Sequence, residues 1–201
     1  MNEEPYKLIR LRYGNTNTYL IQGAKGSILV DTDFAGTLPA FYKAIKAEGI
    51  KVSDITYVIA THYHPDHMGL ISELQDQGVK LVLLENQPDH VHFSDPIFER
   101  IPNLHYTPID ASRALVINFS DASSFLENLG ISGDILPTKS HSEDGIAVIL
   151  SDGTVIVGDL EPIGYLEGYS DNAALADDWN RILEQNPKRI CYAHAGEKSI
   201  K

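Results

Sequence analysis

The stretch "ATHYHPDHMG", residues 60–69, decides how the rest of the chain is read. It sets His62, His64, Asp66 and His67 within six positions, in a chain with 8 histidines in all. In extended backbone, side chains two apart point the same way, so His62 and His64 share a face while Tyr63 turns elsewhere. Where the chain bends into a following helix, Asp66 and His67 swing to a neighbouring position. One short segment can therefore serve two metal ions. Imidazole and carboxylate suit zinc, and also iron or manganese. Gathering such groups at a strand end carries a desolvation cost unless they bind something.

Working outward, Ile55 to Thr61 reads as a short β-branched strand that delivers the cluster. "HMGLISELQDQG" reads as the helix behind it, with Leu70, Ile71 and Leu74 on one face and Gly78 as its stop. Upstream, residues 6–12 alternate like a half-buried strand. "TNTYLIQG" and "GSILVDTD" are two more, around the turn 23–26. "TLPAFYKAIKAEG" is a helix, with Thr37 as N-cap, Pro39 in the first turn and Gly49 at the end. Downstream, "VKLVLLE" is a strand and "SDASSFLENLG" a helix capped by Ser120. "GDILPTKS", "GIAVILSDG" and "TVIVGDL" are strands, the last two joined by a hairpin at Asp152-Gly153. "DNAALADDWNRILEQNP" is a helix with a stripe of Leu175, Trp179, Ile182 and Leu183, and "KRICYAHAG" is a final strand. Residues 86–113 hold four of the 10 prolines and read as an irregular segment covering a pocket. Strands then helix, twice over, indicate an α/β protein with mixed sheets and helices outside, forming one domain over 1–201.

Composition narrows the function. A net charge of −12 with scattered basic residues repels phosphate backbones, so no nucleic-acid partner is expected. No apolar run reaches the length of a membrane span, and "MNEEPYKLIRLRYG" has no signal-peptide core. The expected location is the cytoplasm, which the single cysteine, Cys191, also fits. That thiol reads as core filler near a strand end.

Further polar residues stand at strand ends: Asp31 in "ILVDTD", His141 in "PTKSHSEDG", Asp159 in "VIVGDL" and His194 in "ICYAHAG". Each alone is a weak signal, since a strand-end aspartate is commonly a turn former. His90, His92 and His105 lie in the covering segment and carry no such pattern. Taken in order, Asp31, "HYHPDH", His141, Asp159 and His194 resemble the five-motif pattern of the metallo-β-lactamase superfamily, over residues 15–196. The resemblance implies a four-layer αβ/βα sandwich, two mixed β-sheets flanked by helices, with metals at the sheet edges. It also implies that His62, His64 and His141 hold one ion and Asp66, His67 and His194 a second. Asp159 would bridge them, and Asp31 would orient the histidine loop. Asp33 stands where relatives commonly carry glycine, and "SHSEDG" replaces a Gly/Pro-rich turn.

The implied chemistry is hydrolysis by a metal-bridging hydroxide, held between two divalent ions about 3.5–4 Å apart. Zinc is the first expectation, with iron or manganese as alternatives. Asp66 would orient the nucleophile and move a proton. The expected partner is a small-molecule substrate: an ester, thioester, lactone or amide. Tyr63, Tyr165 and Tyr169 are candidate pocket residues, and Phe93, Phe98 and Tyr106 could cover the pocket. Two other functions share these residues. One is an iron-dependent persulfide dioxygenase using the first ligand set. The other is a metal-binding sensor module without catalysis.

Overall fold

Alternation within single strands builds the architecture. The computed structural model describes residues 6–168 and 171–200. The elements, in chain order, are β1 (Tyr6–Leu11), β2 (Thr18–Gly23), β3 (Ser27–Val30), α1 (Leu38–Ala47), β4 (Tyr57–Ile59), α2 (Pro65–Met68), α3 (Ile71–Asp76) and β5 (Lys80–Leu84). They continue with α4 (Asp95–Glu99), β6 (Leu115–Ile117), α5 (Ala122–Asn128), β7 (Gly133–Pro137), β8 (Ile146–Leu150), β9 (Thr154–Ile156), α6 (Ala173–Leu183), β10 (Arg189–Cys191) and β11 (Lys198–Ser199). One sheet has the order β1-β2-β3-β4-β5-β6, and the other β11-β10-β9-β8-β7. Both are mixed. β1 to β3 pair antiparallel and β3 to β6 parallel, while β9 and β10 are the parallel pair of the second sheet.

In β2 and β3, Leu20 and Leu29 face one way, into a core with Phe41 and Ile45 of α1 and Ile71 and Leu74 of α3. Their neighbours Tyr19, Ile21, Ile28 and Val30 face the other way, against Ile146, Val148 and Leu150 of β8. The remaining β8 residues, Ala147 and Ile149, turn to Leu175, Trp179 and Ile182 of α6. Three cores between four layers follow from the period of two: helices, sheet, sheet, helix. Trp179 is fully buried, and its indole Nε1 donates to Glu161 O at 2.8 Å, which fixes both α6 and the chain after β9. Among the described residues, no helix is long and apolar enough to cross a membrane.

Several local expectations are corrected. The strand expected over Ile55 to Thr61 pairs only at Tyr57–Ile59. Thr61 leaves the ladder because its amide donates to Asp31 Oδ1 and its carbonyl accepts from Ile146 N. The single helix expected after His67 is two, α2 and α3. A Cβ on Gly69 would lie 2.2 Å from Ala35 N, so the chain passes too close to its neighbour to continue a regular helix there. Thr37 precedes α1, but its hydroxyl donates to Phe34 O and leaves the helix uncapped by side chain. Ser120 lies in a 3₁₀ turn, and Asp121 precedes α5. On α6 the inward residue is Asp178, at 2% exposure, while Leu183 is exposed. The segment 86–113 contains α4 and three 3₁₀ turns, and β6 follows it as an unanticipated edge strand.

Candidate metal centre

The ends of β4, β8, β9 and β10 meet where the two sheets adjoin. Asp31, just past β3, adopts φ +61°, an uncommon conformation for a residue other than glycine. The strain is held by contacts. Its Oδ1 accepts from Thr61 N at 2.6 Å and its Oδ2 from Thr61 Oγ1 at 2.9 Å, with His67 Nδ1 at 3.1 Å. The loop from His62 onward is thus pinned to β3, and His67 is set to present Nε2 to the site.

His62, His64 and His141 offer three nitrogens within 4.8 Å of one another; Asp66, His67 and His194 form a second such group, and His62, His67 and Asp159 a third between them. His141 Nε2 lies 3.2 Å from His64 Nδ1. Asp159 Oδ2 is 4.0 Å from His62 Nε2, 3.9 Å from His141 Nε2 and 3.4 Å from His67 Nε2. Its Oδ1 is 3.3 Å from His194 Nε2, which is 3.1 Å from Asp66 Oδ2. Ligands about 2.1 Å from one ion at tetrahedral angles stand about 3.4 Å apart, so these spacings fit ion-sized gaps. Two buried nitrogens, His62 Nε2 and His67 Nε2, have no hydrogen-bond partner. Lone pairs buried without partners are costly, and a divalent cation is the partner this donor set suits.

The electrostatics agree. Burial, then the neighbouring imidazoles, holds the His62 pKa far below the ordinary range, so it stays a neutral donor. Burial likewise lowers His141, with Asp159 opposing. For His67 burial works downward too, but Asp31 and Asp159 outweigh it and raise the ring to about 10. Asp159 is pushed up by burial and down, on balance, by His67, His194 and His141. A cation held between these groups would take the place of the His67 proton.

Supports not foreseen from sequence surround the ligands. Asn17 Nδ2 donates to Tyr192 O and Ala195 O, each at 2.9 Å, so the chain before β2 holds the His194 loop. His194 Nδ1 lies 3.1 Å from Asn15 O. Asp144 Oδ2 accepts from Tyr63 N at 2.6 Å, and Ser94 Oγ donates to Tyr63 O at 2.6 Å. Gln87 Nε2 donates to Ala60 O and Asp144 O. Asp33 accepts from Phe34 N and Thr16 N, and a Cβ on Gly14 would collide with it. Asparagine, aspartate and serine at such positions read as turn formers and glutamine as a surface polar residue, so only the tertiary contacts reveal them.

The expected pocket residues divide. Tyr63 does not line the pocket: it is 1% exposed and belongs to the core under α3 and α4, because its backbone is held on both sides and its ring turns inward. Tyr165 ends a 3₁₀ turn and is exposed, and Tyr169 lies outside the described residues. Phe98 and Tyr106 stack on each other at 4.1 Å, whereas the exposed Phe93 lies 5.9 Å from the His64 ring. His92 pairs with Asp95, and Cys191 is a buried free thiol.

Comparison with known proteins gives the same picture. The chain is 26% identical over 149 residues to a probable metallo-hydrolase of Methanocaldococcus jannaschii, covering 73% of this chain and 68% of that one. It is 39% identical over 56 residues to metallo-beta-lactamase domain-containing protein 1 of Rattus norvegicus, covering 28% of this chain. That match spans 22% of the rat protein, and the matches to fungal lactamase-like proteins span 23–26% of theirs. The crystal structure of a metallo-beta-lactamase family protein from Thermus thermophilus superposes with a TM-score of 0.71 at 20% identity, over 97% of this chain and 75% of that one. The family model of the metallo-beta-lactamase superfamily matches residues 11–194, and on that span the chain belongs to this superfamily.

Proposed function

We propose that the chain is a metal-dependent hydrolase of a small ester, thioester, lactone or amide. The observation that carries this reading is the pair of partnerless buried nitrogens, His62 Nε2 and His67 Nε2, facing the Asp159 carboxylate. His62, His64 and His141 would hold one divalent ion, and Asp66, His67 and His194 a second, with Asp159 shared. Zinc is the first choice, and iron or manganese also suit the donors. Such ions supply Lewis acidity and a hydroxide at neutral pH.

The chain's own groups do the rest. Asp31 and Asn15 O fix the His67 and His194 rings through their Nδ1 atoms. Asp66 is the reachable carboxylate, its side chain 34% exposed beside His194. It accepts a proton from the attacking water and returns it to the leaving group. Its place is held from behind, where Thr16 Oγ1 donates to Asp66 O at 2.7 Å. The acidic chain, at −12, favours a small substrate over nucleic acid, and the cytoplasm is the proposed location.

Metal analysis of the purified protein, followed by an ester, thioester, lactone and amide panel, tests this. Two ions per chain and turnover on one class are expected. Asp66→Asn at saturating metal should lower kcat about 10²–10⁴-fold, with metal content measured alongside because Asp66 is also a candidate ligand of the second ion. One iron per chain with oxygen uptake on a persulfide and no hydrolysis would replace the reading. Full metal loading without turnover on any class would favour a sensor.

A further inference from the structure

Beside the second ligand group lies an open cleft of about 370 Å³, continuous with His141, Asp159 and His194. Its volume falls in the range of small-molecule sites. Away from the ligands its wall is Leu160, Pro162 and Ala195, with two polar residues, Glu161 and Tyr192. Those two are unusual. Glu161 Oε2 and the Tyr192 hydroxyl are both buried atoms with no hydrogen-bond partner. Tyr192 is 6% exposed, so packing around its ring sets where the hydroxyl stands. Glu161 is not loosely placed, because Trp179 Nε1 holds its carbonyl from α6. A carboxylate oxygen left without a donor carries a free-energy cost, and a ligand that brings a donor removes that cost.

We infer that this cleft is a substrate subsite for a primary ammonium group, with Glu161 as its acceptor and the Tyr192 hydroxyl beside it. Glu161 lines the same cleft as Asp159 and adds a second carboxylate to it. It attracts a cationic substituent and repels a carboxylate one. The inference rests on the hydrolase reading and narrows it to substrates that carry an amine near the scissile bond.

Two measurements separate this inference from the reading beneath it. The first is calorimetric binding of two small thiols to the zinc-loaded protein, one bearing an ammonium group and one a carboxylate, with the thiol as common anchor. The ammonium thiol should bind at least about tenfold more tightly, and Glu161→Gln should shrink that ratio to about threefold or less. The second is kcat/KM on esters matched in size and differing only in an ammonium, neutral or carboxylate substituent. The ammonium ester should lead, and Glu161→Gln should act on it mainly through KM. Tyr192→Phe, which keeps the ring in its core, should reduce the preference a few-fold. Equal binding of the two thiols by the unaltered protein, or binding of neither, overturns the inference even if Glu161→Gln fails to fold. A preference left intact in a folded Glu161→Gln protein overturns it as well. The thiol preference without turnover of any ester leaves the subsite standing and removes the hydrolase.

Discussion

Gly158 shows how much of the centre hangs on single positions. It adopts φ +58°, and a Cβ there would lie 2.4 Å from Thr61 Oγ1. Thr61 is the residue that Asp31 grips, and Asp159 is the next residue after Gly158. Gly158→Ala therefore strains the backbone and pushes on the Asp31–Thr61 pair at once. A loss of about 1–3 kcal/mol is expected, with weaker metal retention, read by thermal melting and metal content after dialysis. Asp31→Asn is a milder test of the same node. Replacing one carboxylate oxygen by an amide disturbs the acceptor for His67 Nδ1 or Thr61, and metal affinity should fall about 10–100-fold by competition with a chromophoric chelator. The candidate ligands at 62–67 stood out in the sequence because histidines crowd rarely, whereas His141, Asp159 and His194 joined them only through the family resemblance. Asp144, Gln87, Ser94 and Asn17 were not legible. The contacts by which they brace the centre reach partners 27 to 178 residues away, which local sequence does not reveal.

At the scale of elements, α6 does more than cover the second sheet. Asp178 is buried on its inner face, and its Oδ2 accepts from Ser140 N at 2.7 Å, while Arg181 meets its Oδ1 at 3.1 Å. Ser140 immediately precedes His141, so the helix positions a candidate ligand through one carboxylate. Asp178→Ala strands a donor and should destabilise the fold by about 1–3 kcal/mol. It should also loosen one ion of the pair before the other, seen as biphasic release during chelator titration. Sequence periodicity placed the helix and Leu175, Trp179 and Ile182 of its buried face correctly, and missed Asp178. Apolar spacing favoured Leu183, whereas the loop after β7 required an acceptor. The same limit applies to β6, three residues long with Leu115 and Val116 exposed, since an edge strand that short presents little pattern to read. The four layers, by contrast, were implied by the family resemblance, since β2, β3 and β8 are continuous apolar runs whose side chains are assigned to one core or the next only by the structure.

The whole molecule should be intolerant of alkali. Burial pushes the Cys191 thiol up to about 11 and the Tyr6 phenol up to about 12, and it raises Tyr13, Tyr19, Tyr63 and Tyr106 as well. The Asp95 hydrogen bond adds to the shift at Tyr106. These groups keep their protons in the folded state at pH values where the unfolded chain has lost them. The unfolded chain then binds fewer protons, so stability falls as pH rises. The decline should begin near pH 9 for Cys191, continue past 10 for the tyrosines, and end in a cooperative transition in which tyrosinate absorbance and loss of circular dichroism coincide. Gradual ionisation of the phenols without unfolding would contradict the packing described above.

The seven candidate ligands also divide between the sheets. His62, His64, Asp66 and His67 follow β4 of the first, while His141, Asp159 and His194 belong to loops of the second. Neither portion can coordinate fully by itself, and the final contributor arrives only after β10. Until that last segment docks, the folding chain would carry an incomplete chelator, and ion capture would mark the joining of the two sheets.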